Sequence, residues 1–419
     1  MGKKILALLL AGATLLAVTA CGPSASNAAA ESASAGESSS QAASEEAPAE
    51  GAGIPADQIK VGFVYSSAHN DEGYSQAHDI GRQAVEAMGI ETAYVENVAE
   101  TNEACESAIR NLIDQGCNVI YTNSFGFMEA TANCAAEFPE VKFGHCSGYT
   151  TAENMNTYFG KIYQARYLSG IVAGMKTQVN RIGYVAAMPI PGKIYQARYL
   201  SGIVAGMKTQ VNRIGYVAAM PIPEVIRGIN AFTLGVRSVN PEATVEVIWT
   251  NTWYDPAVEK QAALEIINTG VDVVAQHQNT TAPQIAAQER GVYAVGYNMS
   301  SPDAAPDAYL TAPIFNWDKF YTADVQRVID GTWTGTKIWD GLETGLVDLD
   351  TLTANAPEGA QEAVDTAKEQ IISGELHPFA GPLTNQAGEV VVPEGTTMTD
   401  DEIWNMNWFV EGVVGDIPA

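Results

Sequence analysis

Positive charge is scarce in this chain. It carries 22 lysines and arginines against 49 aspartates and glutamates, a formal net charge of −27. A field of that sign repels nucleic acid and anionic lipid, and suits a neutral or cationic ligand. Nucleotide cradles are missing, with no GxGxxG and no GxxxxGKS or GxxxxGKT. Neither a GxSxG elbow nor an HExxH motif occurs. Doubly wound folds host many enzymes, so an α/β enzyme stays a minor alternative. The five histidines (His69, His78, His145, His277 and His377) are scattered. His145 and His277 both fall at strand ends, where a catalytic or metal pair stays open beside a structural or ligand-contacting role. Cysteine is sparse too. Beyond Cys21 there are Cys105, Cys117, Cys134 and Cys146, none in a CxxC pair and none at metal-ligand spacing. Buried free thiols are expected ahead of disulfides. No cofactor and no metal is implied. The apolar run Ile5 to Ala20 is too short for an ordinary transmembrane helix.

What is present begins with an address. Lys3 and Lys4 precede that apolar run, which ends Val18-Thr19-Ala20-Cys21-Gly22. The pattern looks like a bacterial lipobox: cleavage before Cys21, then lipidation of its thiol. A plain signal peptide with a chance cysteine is the alternative. Two acyl chains anchor stably where one is marginal. Residues 22–56 are rich in Ala, Ser, Glu and Gly and carry no aromatic. Such a stretch cannot bury enough surface to offset ordering entropy, so it reads as a disordered tether.

The folded part opens at Ile59-Lys60-Val61-Gly62-Phe63-Val64-Tyr65, a buried strand. A polar loop, Ser66 to Gly73, leads into a helix carrying Tyr74, Ile80, Val85 and Met88 at helical spacing. Strand, loop and helix then recur every ~25–30 residues, the period of a doubly wound parallel sheet. Ligands in such sheets sit beyond the carboxyl ends of the strands. The first loop offers Asn70, Asp71 and Tyr74 there, or is an ordinary solvated loop. Later strand ends collect Asn123, Ser124, Phe125 and His145, then Trp253, His277, Gln278, Asn298 and Trp317. The spacing predicts a strand over 309–317, a helix over 320–330 and another over 357–373. Trp404 and Trp408, four apart, are expected to pack a terminal helix over 401–410 onto the second lobe. Trp333, Trp339, Trp404 and Trp408 are assigned to packing.

Residues 160–191 recur without one difference at 192–223. Each copy holds one helix (Tyr163–Met175, Tyr195–Met207) and one strand (Arg181–Ala187, Arg213–Ala219). Solenoids need three or more repeats and atypical caps. Perfect identity also leaves no side chain adapted to a second environment. One copy is therefore redundant, a recent duplication or assembly error, with an extra functional unit as the minority reading. The fold should take the helix of copy one, continuing from Phe159, and the strand of copy two. Residues from about Lys176 to Gln210 should be bulged out or packed as an excrescence.

The motifs together carry a resemblance. Val61-Gly62-Phe63-Val64 with Asn70-Asp71-Glu72-Gly73-Tyr74-Ser75-Gln76, then Tyr199-Leu200-Ser201-Gly202-Ile203-Val204-Ala205-Gly206 and Ile214-Gly215-Tyr216-Val217 with Met220-Pro221-Ile222-Pro223, recur in one family. Gly228-Ile229-Asn230-Ala231-Phe232 and Val295-Gly296-Tyr297-Asn298 add to them. From about Lys60 onward the chain resembles the basic membrane protein family of ABC-transporter substrate-binding lipoproteins, which includes bacterial purine nucleoside receptors. The resemblance implies an α/β, type I periplasmic-binding-protein fold: two Rossmann-like lobes joined by three crossovers, closing on ligand by a hinge. It places the first lobe at 57–158 plus about 300–338, and the second at 159–299 plus about 339–419. In nucleoside-binding relatives two aromatics sandwich the base, mapping to Tyr74 and Trp253. A first-loop aspartate maps to Asn70 or Asp71. The relatives' aspartate after the fourth strand is replaced here by His145-Cys146-Ser147, and the aspartate of their GxD motif by Asn298. Their lysine is replaced by Asn316-Trp317, with Lys319 a shifted substitute. Those charged groups hold the ribose hydroxyls. A free purine base or another flat heterocycle thus becomes at least as well supported as a nucleoside. Stacking contributes on the order of 1 kcal/mol per aromatic partner beyond burial.

The expected protein is a monomeric, extracytoplasmic solute receptor, lipid-anchored to the cell membrane and serving the permease and ATPase of an importer. A sensory lipoprotein that binds the same ligand but signals is the alternative.

Overall fold

The computed structural model describes residues 53–162, 165, 168, 169, 172, 175, 176, 181–186, 214–218, 221–239 and 241–418. Cys21, the leader, the tether through residue 52 and most of both repeat copies lie outside the described residues. Strands and helices alternate from the start: β1 (Lys60–Val64), α1 (Tyr74–Ala87), β2 (Glu91–Val95), α2 (Asn102–Asp114), β3 (Val119–Thr122), α3 (Met128–Glu137), β4 (Lys142–Cys146) and β5 (Met155–Gly160). Then come β6 (Arg181–Ala186), β7 (Ile214–Ala218), α4 (Pro223–Val239), β8 (Thr244–Trp249), α5 (Pro256–Asn268), β9 (Val273–His277), α6 (Ala282–Glu289), β10 (Tyr293–Val295), β11 (Tyr309–Thr311) and β12 (Pro313–Phe315). The chain finishes with α7 (Trp317–Asp330), β13 (Lys337–Asp340), β14 (Val347–Leu349), α8 (Ala360–Ser373), β15 (Leu383–Thr384), β16 (Val390–Val392), α9 (Asp400–Trp404) and β17 (Val413–Val414).

Two parallel sheets result. The first runs β13-β5-β4-β3-β1-β2, the second β11-β10-β9-β6-β7-β8-β17. The chain crosses between them three times: after β5, after β11 and after β13. The first sheet's inner strands are apolar because helices cover both faces; β3 is buried throughout, and β1 along all but Lys60. Helix starts follow local chemistry. Thr101 caps α2 by accepting from the Ala104 amide at 3.3 Å. Asp255 caps α5 by accepting from the Ala257 and Val258 amides, with Pro256 at the first turn. Thr399 and Glu402 form a capping box on α9.

Helix α7 ties the second crossing to the first lobe. Its buried Asp324 accepts from Tyr121 Oη at 2.7 Å and from Trp333 Nε1 at 3.2 Å, and pairs with Arg327. Helix α4 ties down the tail: Asn230 donates to the Trp408 carbonyl at 2.7 Å and accepts from the Val410 amide at 2.9 Å.

Several sequence expectations need correction. Met155 to Gly160 is a strand, not the approach to a helix; all six residues are buried, and a short, fully buried run has no period to read. The strand expected over 309–317 is two short strands, and Trp317 opens α7. Strand β11 lies in the second sheet, so the return to the first lobe comes later than residue 300. Helix α9 stops at Trp404, leaving Trp408 beyond it. Cys105, Cys117, Cys134 and Cys146 are buried and free, as expected; burial pushes the Cys117 and Cys134 thiols up to about 11.

The repeat also departs from expectation. Ile162, Ala165, Leu168, Val172 and Met175 of copy one are helical and buried, as anticipated. Strand β6, expected to be bulged out, is paired in the second sheet. Both copies are registered on the same residues. Gly183 and Gly215 pair with Val274, Tyr184 and Tyr216 with Ala275, and Val185 and Val217 with Gln276. Ile182 and Ile214 both pair with Val245 on the other side.

Candidate functional site

The carboxyl ends of the strands are where the backbone is strained. Among the described residues, the non-glycine residues with positive φ are Glu72 (56°), Asn97 (55°), Ser147 (74°), Asn251 (52°) and Asn298 (72°). Each follows a parallel strand: β1, β2, β4, β8 and β10 in turn. Three belong to the first lobe and two to the second.

The loop after β1 is built around Asp71. This 8% exposed carboxylate accepts from Gly73 N and Gln76 N on one oxygen, and from Ser67 Oγ and Ser75 N on the other, at 2.7–3.0 Å. Burial raises its pKa while those four donors lower it. Asp71 therefore organises the entry to α1. Asn123 ties the loop to β3: its Oδ1 accepts from the Ser66 amide at 3.1 Å, and its Nδ2 donates to Ser75 Oγ at 3.3 Å. Tyr74, 2% exposed, donates from Oη to the Asn123 carbonyl and packs edge-on against His78 at 4.6 Å. Asn70 is exposed.

In the second lobe a buried carboxylate, Glu259, plays the matching part. It accepts from the Asp255 amide at 3.0 Å and from Thr280 Oγ1 at 2.6 Å, linking the loops after β8 and β9. Burial pushes its pKa up to about 7. Gln278 donates to Thr250 Oγ1 at 2.7 Å, bracing the same two loops. His277 Nε2 lies 3.3 Å from Glu224 Oε2, both side chains 2% exposed, and its ring meets Tyr297 at 4.7 Å.

These two loop sets touch. Thr281 Oγ1 donates to Glu72 Oε2 at 3.4 Å. Gly73 lies against Asn279 so closely that a Cβ there would sit 1.9 Å from the Asn279 carbonyl oxygen. Cavities remain between the lobes. One, of about 440 Å³, is walled by Ser66, Ser67, Asn97 and Glu100 from the first lobe and by Asn251, Trp253, Tyr254 and Asn279 from the second. Another, of about 220 Å³ and mostly apolar, lies between Phe125 and Tyr149 of the first lobe and Pro223, Glu224, Arg227 and Trp404 of the second. Glu100 and Ser124 are hydrogen-bonded to each other. A larger hollow, of about 540 Å³, is confined to the tail around β16 and α9, away from the strand ends.

Of the residues singled out from the sequence, Trp253 and Phe125 line these interlobe cavities. Asp71, Asn123 and Gln278 instead brace the loops. His145 is fully buried against Thr122 Oγ1 at 2.8 Å, its pKa pushed down to about 3 by burial, and its Nε2 has no partner. Asn298 is fully buried, donating to Asn279 Oδ1 at 3.4 Å, and its own Oδ1 has no partner. Trp317 is stacked in the core between His78 at 4.3 Å and Phe315 at 4.6 Å. Trp404, assigned to packing, lines a cavity. Asn97, Glu100, Asn251, Tyr254 and Asn279 were not singled out. Among the described residues no group of three or more His, Cys, Asp and Glu side chains could hold a metal ion.

The family model of PnrA-like ABC transporter substrate-binding proteins matches residues 58–193 and 190–376. The chain belongs to that family. The junction of the two matched segments falls at the boundary between the repeat copies. Among relatives of this PnrA-like protein, a purine-binding protein of Brucella abortus is 37% identical over 371 residues, covering 88% of this chain and 96% of that protein. A putative ABC transporter glucose-binding protein of Haloferax volcanii is 35% identical over 375 residues, covering 89% and 83%. An ABC transporter solute-binding protein of Conexibacter woesei has a similar fold, with a TM-score of 0.60 at 20% identity, covering 76% of this chain and 98% of that one. The fold is thus the two-lobed, type I periplasmic-binding-protein architecture. Membership of the PnrA-like family makes this an extracytoplasmic protein with a small-molecule ligand and with permease and ATPase partners. Its fold and family point to binding rather than catalysis. Among the described residues no helix is long and apolar enough to cross a membrane.

Proposed function

We propose that the protein captures a purine, as free base or nucleoside, between its two lobes and hands it to the importer's permease, held at the membrane by a lipid on Cys21. The meeting of two strained strand-end residues, Asn97 of the first lobe and Asn251 of the second, in the wall of one cavity carries this reading. Non-glycine residues in the left-handed region cost on the order of 1 kcal/mol or more each and gather at ligand clamps. The 440 Å³ cavity beside them falls within the ~300–1,000 Å³ usual for small-molecule sites. Trp253 and Tyr254 supply aromatic faces, and Ser66, Asn97, Glu100 and Asn279 supply edges that read ring nitrogens and exocyclic groups. The purine assignment leans on the Brucella relative. The same wall of hydroxyls and amides beside an aromatic also suits a sugar, and the Haloferax relative favours that second reading. The signalling alternative uses the same site, and no observation favours it.

Thermal shift of the whole chain with adenine, hypoxanthine, guanine, adenosine, guanosine and glucose tests this. Ligand at 100 times Kd adds about 2.7 kcal/mol of stability. A rise with a purine supports the proposal. A rise with glucose alone selects the sugar reading, and no rise with either removes both. Gly73→Ala probes the cleft itself. Its Cβ would meet the Asn279 carbonyl and hold the lobes apart, so the ligand-induced rise should vanish while the melting point without ligand stays near that of the parent. Cys21→Ser should release the protein from the membrane fraction.

A further inference from the structure

A parallel strand has two edges. Strand β9 gives one edge to β10, and β8 gives one to β17. One lane remains between β9 and β8, and β6 and β7 are each registered on both of its walls. The registers are the same to the residue: Gly183 and Gly215 on Val274, Ile182 and Ile214 on Val245. Two strands side by side could not each pair with both walls, since adjacent strands are about 4.8 Å apart and each covers the other's far edge. Identical sequences also leave nothing in the strand itself to favour one occupant.

We propose that the two copies are alternative occupants of this lane: either β6 or β7 completes the second sheet, and the one not used is displaced from it. The connections set the terms of the exchange. In the sequence only four residues separate Lys176, in the helix of copy one, from Arg181 of β6, and only four separate Ala218 of β7 from Pro223 of α4. Helix–strand links of this length are normal in α/β units. Using β6 keeps the first short link and places the surplus before α4, at the cleft end of the lane. Using β7 keeps the second and places the surplus at the opposite end. Neither choice keeps both, so the two forms balance one well-made connection against the other.

Proline in a central strand removes a ladder hydrogen bond and is rarely tolerated there. Gly183→Pro and Gly215→Pro therefore disable one occupant each, at the same register on Val274. Each single variant should keep one cooperative thermal transition within a few degrees of the parent, because the other copy fills the lane. The double variant should lose its cooperative transition. In a chain lacking residues 192–223, Gly183→Pro alone should do the same, since no second copy is left. Loss of the transition in either single variant of the full chain would overturn the proposal. So would a folded double variant, or tolerance of Gly183→Pro in the shortened chain. Ligand binding is not the readout, so the outcome stands apart from the purine assignment.

Discussion

Two loop systems meet across the cleft, and each is organised by one buried carboxylate. In the first lobe Asp71 gathers four donors from its own loop within 3.0 Å. In the second, Glu259 spans two loops, taking the Asp255 amide and the Thr280 hydroxyl. Both are raised by burial, but Glu259 is raised to about 7. Four converging donors offset much of the desolvation that fewer leave uncorrected. The difference separates a loop whose buried carboxylate meets four donors from loops whose buried carboxylate meets fewer and titrates near neutrality.

The largest effect that could break this comparison is pH dependence. Glu259 is raised above its ordinary value of 4.5 in the folded state. Its contribution is fully present below that value and is lost as pH rises through about 7. Between pH 5 and pH 8 it should cost up to roughly 3 kcal/mol of stability. Urea midpoints at the two pH values measure it, and Glu259→Gln should remove most of the difference. Asp71→Asn is the companion change. It turns an amide nitrogen toward one pair of the donors that Asp71 now satisfies, which should cost about 2 kcal/mol at pH 8. If the two substitutions show the same pH profile, the contrast between the lobes is wrong.

Those carboxylates also show what the sequence could tell. The alternation of strand and helix, and the convergence of polar residues at strand ends, were readable because period and composition are local. Asp71 is expected from the sequence to meet a ligand, whereas its oxygens are taken by its own loop and the start of α1. Its partners are the Ser67 hydroxyl and three backbone amides close by in sequence, and an aspartate followed by polar residues reads the same whether it faces a ligand or its own backbone. Trp317 was misplaced because its stacking partner His78 lies in α1, far away in sequence. Trp404 reaches the cleft only because the tail folds back onto α4 through Asn230. One signal was available and missed. Asn97 and Asn251 each stand two residues past a strand, and asparagine tolerates the left-handed conformation better than most residues. The repeat was legible as an anomaly. Its competition for one lane was not, since that depends on which edges β8 and β9 leave open.

The smallest effect concerns which cavity the ligand uses. Trp253 lines the larger cavity and Phe125 the smaller, more apolar one. Both are partly buried, and neither accepts donors that a loop requires through its side chain, so truncation should leave the unliganded melting point nearly unchanged. A heterocycle stacked on Trp253 loses about 1.4 kcal/mol when that face is removed, a tenfold weaker Kd. Titration calorimetry of Trp253→Ala and Phe125→Ala with the ligand found by thermal shift compares the two. A tenfold loss in the first and little change in the second puts the ligand against the loop that Glu259 braces. The reverse puts it against Trp404 and Arg227, at the amino end of α4, where the choice between β6 and β7 would bear on the site directly.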